Sequence, residues 1–493
     1  MAVETATLSH YVAGEWLSTS EGEHTVDVNP SDARQVLAHV PQAGKETLDR
    51  AVEAATTAFR PWKRATGQAR ANVLHAAANL LAQRRDDLAR VMAEEVGKPL
   101  VEAGLEADRG VMILRYFAEE AVHPNGAVIP AQQEGSLQFT IRQPLGPVAV
   151  ISPWNFPLAI PLWKIAPALA YGNTIVWKPA EVASLTAHRI AEVFHEGGLP
   201  EGVLNLLLGK GSVLGDALVG HEGIRGVTFT GSDGVGARIA ESAVKRNIKY
   251  QLEMGGKNAA LVLADADLDH AAQLVAGGAF RFAGQKCTAT SRVIVTNDVV
   301  DTFVDKLTQE IKALPLLPAT DPKSAVGPLI TSGSRDNVRR YSEGGATEGE
   351  VVLGGGVPSG PEFEEGYFWE PTLIVGVSPD APVAQEEVFG PLLVVERASD
   401  IGEAIEIANG TKYGLSVSLF TRDINTALEY INEIDCGMVR VNGDTTGVDP
   451  HAPFGGMRGS SSHSREQGPA AVEFFTEIKT VQINTAGQGG KKL

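Results

Sequence analysis

Cysteine is almost missing from this chain: 493 residues hold two, Cys287 and Cys436. That is too few for a disulfide scaffold and points to a reducing compartment. An excess of basic charge is missing too. The formal charge is −18, which argues against gripping a phosphate backbone as the main task. Such acidity signals solubility and identifies no substrate. Met1 to Gly14 lacks a basic stretch followed by an apolar core, so no secretory signal is expected and a cytoplasmic protein is. There is also no unbroken membrane-length apolar run. The most apolar zone, Pro147 to Trp177, is interrupted by Pro153, Pro157, Pro161 and Pro167. It also carries Asn155 and Lys164, which would lack partners in lipid. It reads as buried protein interior. The 11 histidines form no metal-ligand cluster, and neither an internal repeat nor a heptad pattern is present.

What is present is ordinary for a folded protein: 43% hydrophobic and 21% charged residues, in a chain long enough for two or three domains. Residues 8–40 read as short strands, with Asn29-Pro30-Ser31-Asp32 as a turn. From 44 to 122 the pattern is helical. Thr66 is placed to cap a helix with Val73, Ala77, Leu80 and Leu81 on one face, and Asp86 to Val96 forms another that stops at Gly97. These helices look like packing scaffold without chemistry. Leu137 to Arg142 reads as a strand. Apolar strands at 148–151, 174–177, 203–208, 226–230 and 260–263 then alternate with helices at 158–170, 184–197, 212–220 and 235–246. That alternation predicts a parallel sheet flanked by helices, with ligands beyond the strands' carboxyl ends.

The residues just after those strands are therefore the informative ones. Asn155, Lys178, Gly211 and the turn Gly231-Ser232-Asp233-Gly234-Val235-Gly236 stand there. The turn can present N–H groups to a phosphate, but its spacing is not G-x-G-x-x-G and is a weak signal alone. A second α/β block is expected from 287 to about 469, with a surface loop at 353–366. Phe474 to Ile483 alternates like an edge strand that invites pairing with another subunit, and Ala486 to Leu493 reads as disordered. In the stretch Arg281 to Arg292, a helix should end near Gly284 and a strand begin at Val293, leaving Cys287 on the turn between them. Beside Lys286 and backbone N–H groups its thiol is expected to be lowered and reactive; a buried structural cysteine is the alternative.

The motifs Pro153-Trp-Asn155-Phe-Pro157, Lys178-Pro-Ala-Glu181, Phe229-Thr-Gly231-Ser232 with Gly236, Leu252-Glu253-Met-Gly-Gly-Lys257, Gly284-Gln-Lys-Cys287, Gly366-Tyr-Phe-x-x-Pro371-Thr372, Glu386-Glu387-Val-Phe389-Gly-Pro391 and Pro453-Phe-Gly-Gly456 follow in order along the chain. Together they resemble the aldehyde dehydrogenase superfamily over nearly the whole length. The resemblance implies an α/β fold with a Rossmann-type dinucleotide-binding domain (1–125 and 145–254), an α/β catalytic domain (255–469) and a small β oligomerisation arm (126–144 and 470–493). It implies Cys287 as nucleophile, Glu253 as the base for thioester hydrolysis with a raised pKa, Asn155 as oxyanion donor, and Lys164 with Glu466 as a proton relay or a structural ion pair. It implies NAD or NADP, held by Trp154, Lys178, Glu181, Gly211, Gly231, Ser232, Gly236, Glu387 and Phe389. The Glu181 carboxylate suits a free 2′-hydroxyl and favours NAD. No metal is implied, and a homodimer or homotetramer is.

A finer resemblance, to 2-oxoglutarate semialdehyde (2,5-dioxopentanoate) dehydrogenases, rests on Ile160-Pro-Leu-Trp163-Lys164, Tyr250-Gln-Leu-Glu-Met254, the run Gly284 to Arg292, and Gly459-Ser-Ser-Ser-His-Ser-Arg-Glu-Gln-Gly468. An acidic semialdehyde needs a cation in the pocket. Arg281 is the expected one, matching a carboxylate-binding arginine of succinate semialdehyde dehydrogenases, with Trp163 and Phe454 as aromatic wall. Succinate semialdehyde, broad-specificity and CoA-acylating enzymes, and an inactive binding homologue, are the alternatives. Glu253 speaks against the CoA-acylating type, and the presence of Cys287, Glu253 and Asn155 against the inactive one.

Overall fold

The computed structural model describes residues 5–123 and 126–484; the disorder expected for 486–493 lies outside them. Among the described residues the strands form two seven-stranded and two three-stranded sheets. The first large sheet runs, in spatial order, Lys249–Glu253, Gly226–Thr230, Pro147–Ile151, Thr174–Lys178, Leu204–Leu206, His10–Val12, Glu15–Leu17. Its first five strands are parallel and its last two are added antiparallel. The second runs Glu350–Leu353, Thr372–Val375, Leu392–Ala398, Thr290–Thr296, Asn258–Val262, Ser416–Phe420, Met438–Val441, antiparallel only at its first pair.

The strand–helix rhythm read from the sequence holds within a residue or two, with helices Ala159–Ala170, Ser184–Glu196, Gly211–Gly220 and Asp233–Arg246. Central parallel strands are buried on both faces, and so read as continuous apolar runs. One expectation fails, and one strand is missing from the sequence pattern. Asn258–Val262 belongs to the second sheet, not the first. The first sheet instead ends on Lys249–Glu253, whose polar letters hide a strand that turns Gln251 and Glu253 into the interior.

Thr66 caps Gly67–Gln83 as expected, its hydroxyl accepting from the Ala69 N–H. The buried stripe of that helix is Ala71, Leu74, Ala77, Ala78 and Leu81, with Val73 and Leu80 only half-buried. The helix Leu100–Glu120 does more than pack. Its Glu106 is buried against Lys98 and accepts from the N–H groups of Leu158 and Ala159 at 3.0 and 2.9 Å. A carboxylate at those orphan donors caps Ala159–Ala170, the helix that carries Trp163 and Lys164. Thr476–Asn484 pairs antiparallel with Ser136–Pro144 in its own chain, leaving Leu137, Ile478 and Ile483 exposed. No helix of the described residues is long and apolar enough to cross a membrane.

Candidate active site

Cys287 sits on a turn between the helix Leu268–Phe280 and the strand Thr290–Thr296, three residues earlier than the strand expected from the sequence. Phe282, Ala283 and Gly284 have φ of +58°, +52° and +66°. Left-handed backbone at two non-glycine residues is costly and persists only where the surroundings impose it. Gln285 does much of the imposing. Its Oε1 accepts from the Ile330 N–H (2.9 Å), and its Nε2 donates to the carbonyls of Pro328 (3.1 Å) and Phe282 (3.3 Å). Asn258 Nδ2 donates to the carbonyls of Cys287 (2.8 Å) and Ala289 (2.9 Å). A Cβ at Gly256 would stand 2.9 Å from the Cys287 carbonyl oxygen, so only glycine lets these segments approach.

The thiol does not match the expectation of a lowered pKa. Burial, then the carboxylates of Glu387 and Glu253, push it well above its ordinary value. Lys286, expected to lower it, is turned away into an ion pair with Glu102 at 2.8 Å. Glu253, at the end of Lys249–Glu253, is raised well above the carboxylate range by burial and by Glu466. Its Oε2 accepts from the Ser461 hydroxyl at 2.6 Å, and its Oε1 has no partner among the described residues. Lys164 pairs with Glu466 Oε1 and donates to Thr228 Oγ1 at 3.0 Å, while the Trp163 indole N–H donates to Glu466 Oε2 at 2.7 Å. Asn155 donates one amide N–H to the Gln285 carbonyl at 3.1 Å.

Two cavities meet at this turn. One, of about 250 Å³, is a crevice lined by Trp154, Asn155, Gly231, Ser232, Glu387 and Phe389, among others. Trp154 packs edge-on against Phe389 with ring centroids 5.6 Å apart. Burial raises Glu387 to about 7, although it accepts from the Gly256 N–H at 3.1 Å. Thr230 Oγ1, buried in the crevice, has no partner among the described residues, and Ser232 starts Asp233–Arg246 without using its side chain as a cap. Gly236 does not line the crevice. It is packed beneath it, where a Cβ would meet Met254 Sδ at 2.5 Å.

Lys178, Glu181 and Gly211 form a separate group outside that crevice. A Cβ on Gly211 would lie 3.5 Å from Lys178 Nζ. Burial lowers Lys178 to about 8 and Glu181 partly opposes this. Thr25 Oγ1 donates to Glu181 Oε1 at 2.7 Å.

The other cavity, of about 220 Å³, has walls that include Phe156, Trp163 and Phe454, with Trp163 and Phe454 ring centroids 5.3 Å apart. Cys287 is the one residue, among those described, that lines both cavities. Arg281 does not line the second: its side chain is exposed, on the turn that follows the helix. The arginine in that wall is Arg109, from a helix the sequence marked as scaffold. Sequence reasoning also passed over Ser461, which lies inside a serine run noted only as a marker. No pattern singled out Arg109, since an arginine on an amphipathic helix is usually a solvated one.

The sequence model described as "Aldehyde dehydrogenase family" matches residues 16–481. The chain is 46% identical over 481 residues to an alpha-ketoglutaric semialdehyde dehydrogenase of Bacillus subtilis (strain 168), covering 97% of this chain and 99% of that one. It is 39% identical to a 2,5-dioxopentanoate dehydrogenase of Saccharolobus solfataricus, covering 95% and 98%. Among solved structures, betaine aldehyde dehydrogenase from Staphylococcus aureus in complex with NAD+ superposes with a TM-score of 0.94 at 34% identity, over 97% and 95% of the two chains. An NAD-dependent aldehyde dehydrogenase from Sinorhizobium meliloti superposes with 0.95 at 32%, over 98% and 96%.

Proposed function

The chain belongs to the aldehyde dehydrogenase family and has its fold, and from there we propose that it oxidises an acidic semialdehyde, 2-oxoglutarate semialdehyde to 2-oxoglutarate, with NAD or NADP. The observation that carries this reading is the thiol of Cys287 at the junction of two cavities, one walled by Phe156, Trp163 and Phe454 with Arg109, the other by Trp154, Ser232, Glu387 and Phe389. The similarity to two enzymes named for this semialdehyde supports the choice of substrate.

The residues around the crevice fit a nicotinamide dinucleotide. The Ser232 hydroxyl, not spent on capping, and the start of Asp233–Arg246 offer donors to a pyrophosphate. Glu387 and Phe389 would hold the nicotinamide ribose, and Lys178 with Glu181 the adenosine ribose. Trp154, Gly211 and Gly231 complete the set, and Gly236 supports it from below. When bound, this group supplies the two-electron acceptor for the aldehydic hydrogen.

The chain's own residues do the rest. The Cys287 sulfur bonds to the carbonyl carbon, and its proton passes to a neighbouring carboxylate, for which Glu253 is the candidate. The second Asn155 amide N–H and the Cys287 backbone N–H stabilise the alkoxide that forms; losing one such donor typically costs about 3–4 kcal/mol. Loss of the aldehydic hydrogen leaves a thioester on Cys287. Once Glu253 has given up that first proton, it takes a second one from water, hydroxide adds to the acyl carbon, and the Cys287 thiolate leaves. The sum is aldehyde, water and oxidised cofactor giving carboxylate, reduced cofactor and two protons. Lys164 and Glu466, buried behind Glu253, would relay one of them outward.

We assign residues 1–125 and 145–254 to the dinucleotide-binding domain and 255–469 to the catalytic domain. The arm 126–144 with 470–493 would join copies into a homodimer or homotetramer, through the apolar side chains it exposes. A cytoplasmic setting agrees with two unpaired cysteines. The test is initial-rate screening of acidic semialdehydes of increasing length and neutral aldehydes against both nicotinamides, with and without CoA. Turnover should need no CoA and favour the five-carbon acid. Failure to reduce either nicotinamide with any aldehyde would sink the proposal.

A further inference from the structure

Resting on the reading of Cys287 as nucleophile toward acidic aldehydes, we propose that Arg109 binds the distal carboxylate of the substrate, in the wall of the cavity that Cys287 also lines. Four residues of Leu100–Glu120 face that cavity: Glu102, Leu105, Glu106 and Arg109. Their spacing puts them on one side of a helix, so one helical face presents two carboxylates and a guanidinium to the same space. The two carboxylates are already matched. Glu102 is paired with Lys286 at 2.8 Å. Glu106 is paired with Lys98 and accepts two backbone N–H bonds. Lys286 also lines the cavity, and its charge is taken up by Glu102.

Arg109 is different. It is half-buried, and it makes no hydrogen bond or ion pair with any described residue. Burial works against its charge, Asp449 and Glu106 favour it from a distance, and Arg440 opposes it. Five donors in a rigid fork with no acceptor are a poor resting state for a guanidinium that has lost part of its water. A carboxylate arriving from the cavity would satisfy them bidentately. Among the described residues of that wall the other cation, Lys286, is already paired with Glu102, the Thr446 hydroxyl donates to Asp444 Oδ1 at 3.0 Å, and the Thr288 hydroxyl offers a single neutral donor. Trp163 gives its N–H to Glu466, and Phe156 and Phe454 have none. The apolar walls would then carry the carbon chain between Cys287 and the fork, which suits an acid with its aldehyde at the far end.

The experiment compares wild type, R109M, R109K and R281M on 2-oxoglutarate semialdehyde and on a neutral aldehyde of equal length. Calorimetric binding of 2-oxoglutarate is measured alongside. Loss of a charged hydrogen-bonded pair corresponds to about a 10- to 100-fold change. R109M should therefore raise KM for the acidic aldehyde by about that factor, leave kcat and KM for the neutral one nearly unchanged, and abolish 2-oxoglutarate binding. R109K should recover part of the loss, and R281M should behave as wild type. Equal losses on both aldehydes, no loss on either, or a selective loss in R281M instead would overturn the assignment. A wild type that binds 2-oxoglutarate through Arg109 but oxidises no aldehyde would support the anchor and fell the activity, so the two failures are distinct.

Discussion

The Ser461 hydroxyl donates to Glu253 Oε2 at 2.6 Å, and the same two residues form an isolated antiparallel bridge between the strand Lys249–Glu253 and the segment after Arg458–Ser460. A backbone link thus aims the side-chain hydroxyl that, among the described residues, donates to the Glu253 carboxylate. Burial and Glu466 push that carboxyl up; Ser461 pulls it back down.

Removing the hydroxyl should therefore slow the hydrolytic half of the reaction. The base acts as carboxylate, so a pKa raised further leaves less of it at neutral pH. S461A is expected to lower kcat about tenfold near pH 7, the worth of one hydrogen bond to a charged group. Its pH profile should move to higher pH, and the initial burst of reduced cofactor should remain. An unchanged profile, or loss of the burst, would count against Glu253 and Ser461 acting together.

The pair Lys164–Glu466 poses a different question, whether it serves proton transfer or only the fold. Both side chains are buried, at 0% and 2% exposure. K164M strands a carboxylate in the interior, which typically costs about 3–5 kcal/mol, whereas replacing both partners by apolar groups is often nearly neutral. The melting temperature should fall in K164M and recover in K164M/E466L. If the recovered double variant still hydrolyses its thioester slowly, the pair is a relay; if it turns over at the wild-type rate, the pair is structural.

The difference between what was and was not legible in the chain follows from which residues speak locally. Strands such as Pro147–Ile151 and Gly226–Thr230 are buried on both faces, so their letters alone announce them. The turn at Cys287 was legible because a helix pattern stops and a β-branched run starts around it. Lys249–Glu253 was not, because it opens on two half-exposed residues and then buries two polar ones, Gln251 and Glu253, on either side of Leu252. Arg109 and Ser461 are remote in sequence from Cys287 and Glu253, and only the folded chain brings each to its cavity or carboxylate. Lys286 misled for the same reason: adjacent to Cys287 in sequence, it reaches across to Glu102 instead.

Acid should destabilise the protein through His10 as well as through its carboxylates. His10 is fully buried, and its Nδ1 accepts from the Leu208 N–H at 3.2 Å, which requires that nitrogen to be unprotonated. Burial lowers its pKa from 6.5 to about 4. Between those values the unfolded chain binds a proton that the folded one does not, so stability rises with pH across the window and falls as pH drops from 6.5 toward 4. The shift corresponds to about 3 kcal/mol in all. H10Q, which keeps an acceptor but cannot titrate, should flatten the melting temperature against pH in that range. An equally steep decline in H10Q would assign the acid sensitivity to other groups.

The thiol offers the most direct check on the electrostatics of the site, because its reactivity is read without substrate or cofactor. A thiol raised by burial, Glu387 and Glu253 is protonated at neutral pH in the cofactor-free protein, and only thiolate reacts with an alkylating agent. Labelling of Cys287 by iodoacetamide should be slow at pH 7 and climb about tenfold per pH unit toward pH 9, as expected for a thiol well below its titration point. Cys436, buried and raised to about 11, should stay unlabelled in the folded protein. Glu387 titrates at about 7, so at pH 8 it is mostly a carboxylate facing the sulfur. E387Q removes that charge and should speed labelling several-fold at pH 8 while changing it little at pH 6, where the wild-type carboxyl is already mostly protonated. Intact-mass measurement across pH decides the matter. Fast labelling at pH 7, independent of pH, would mean a thiolate already present at rest, and the nucleophile would then need no carboxylate to receive its proton.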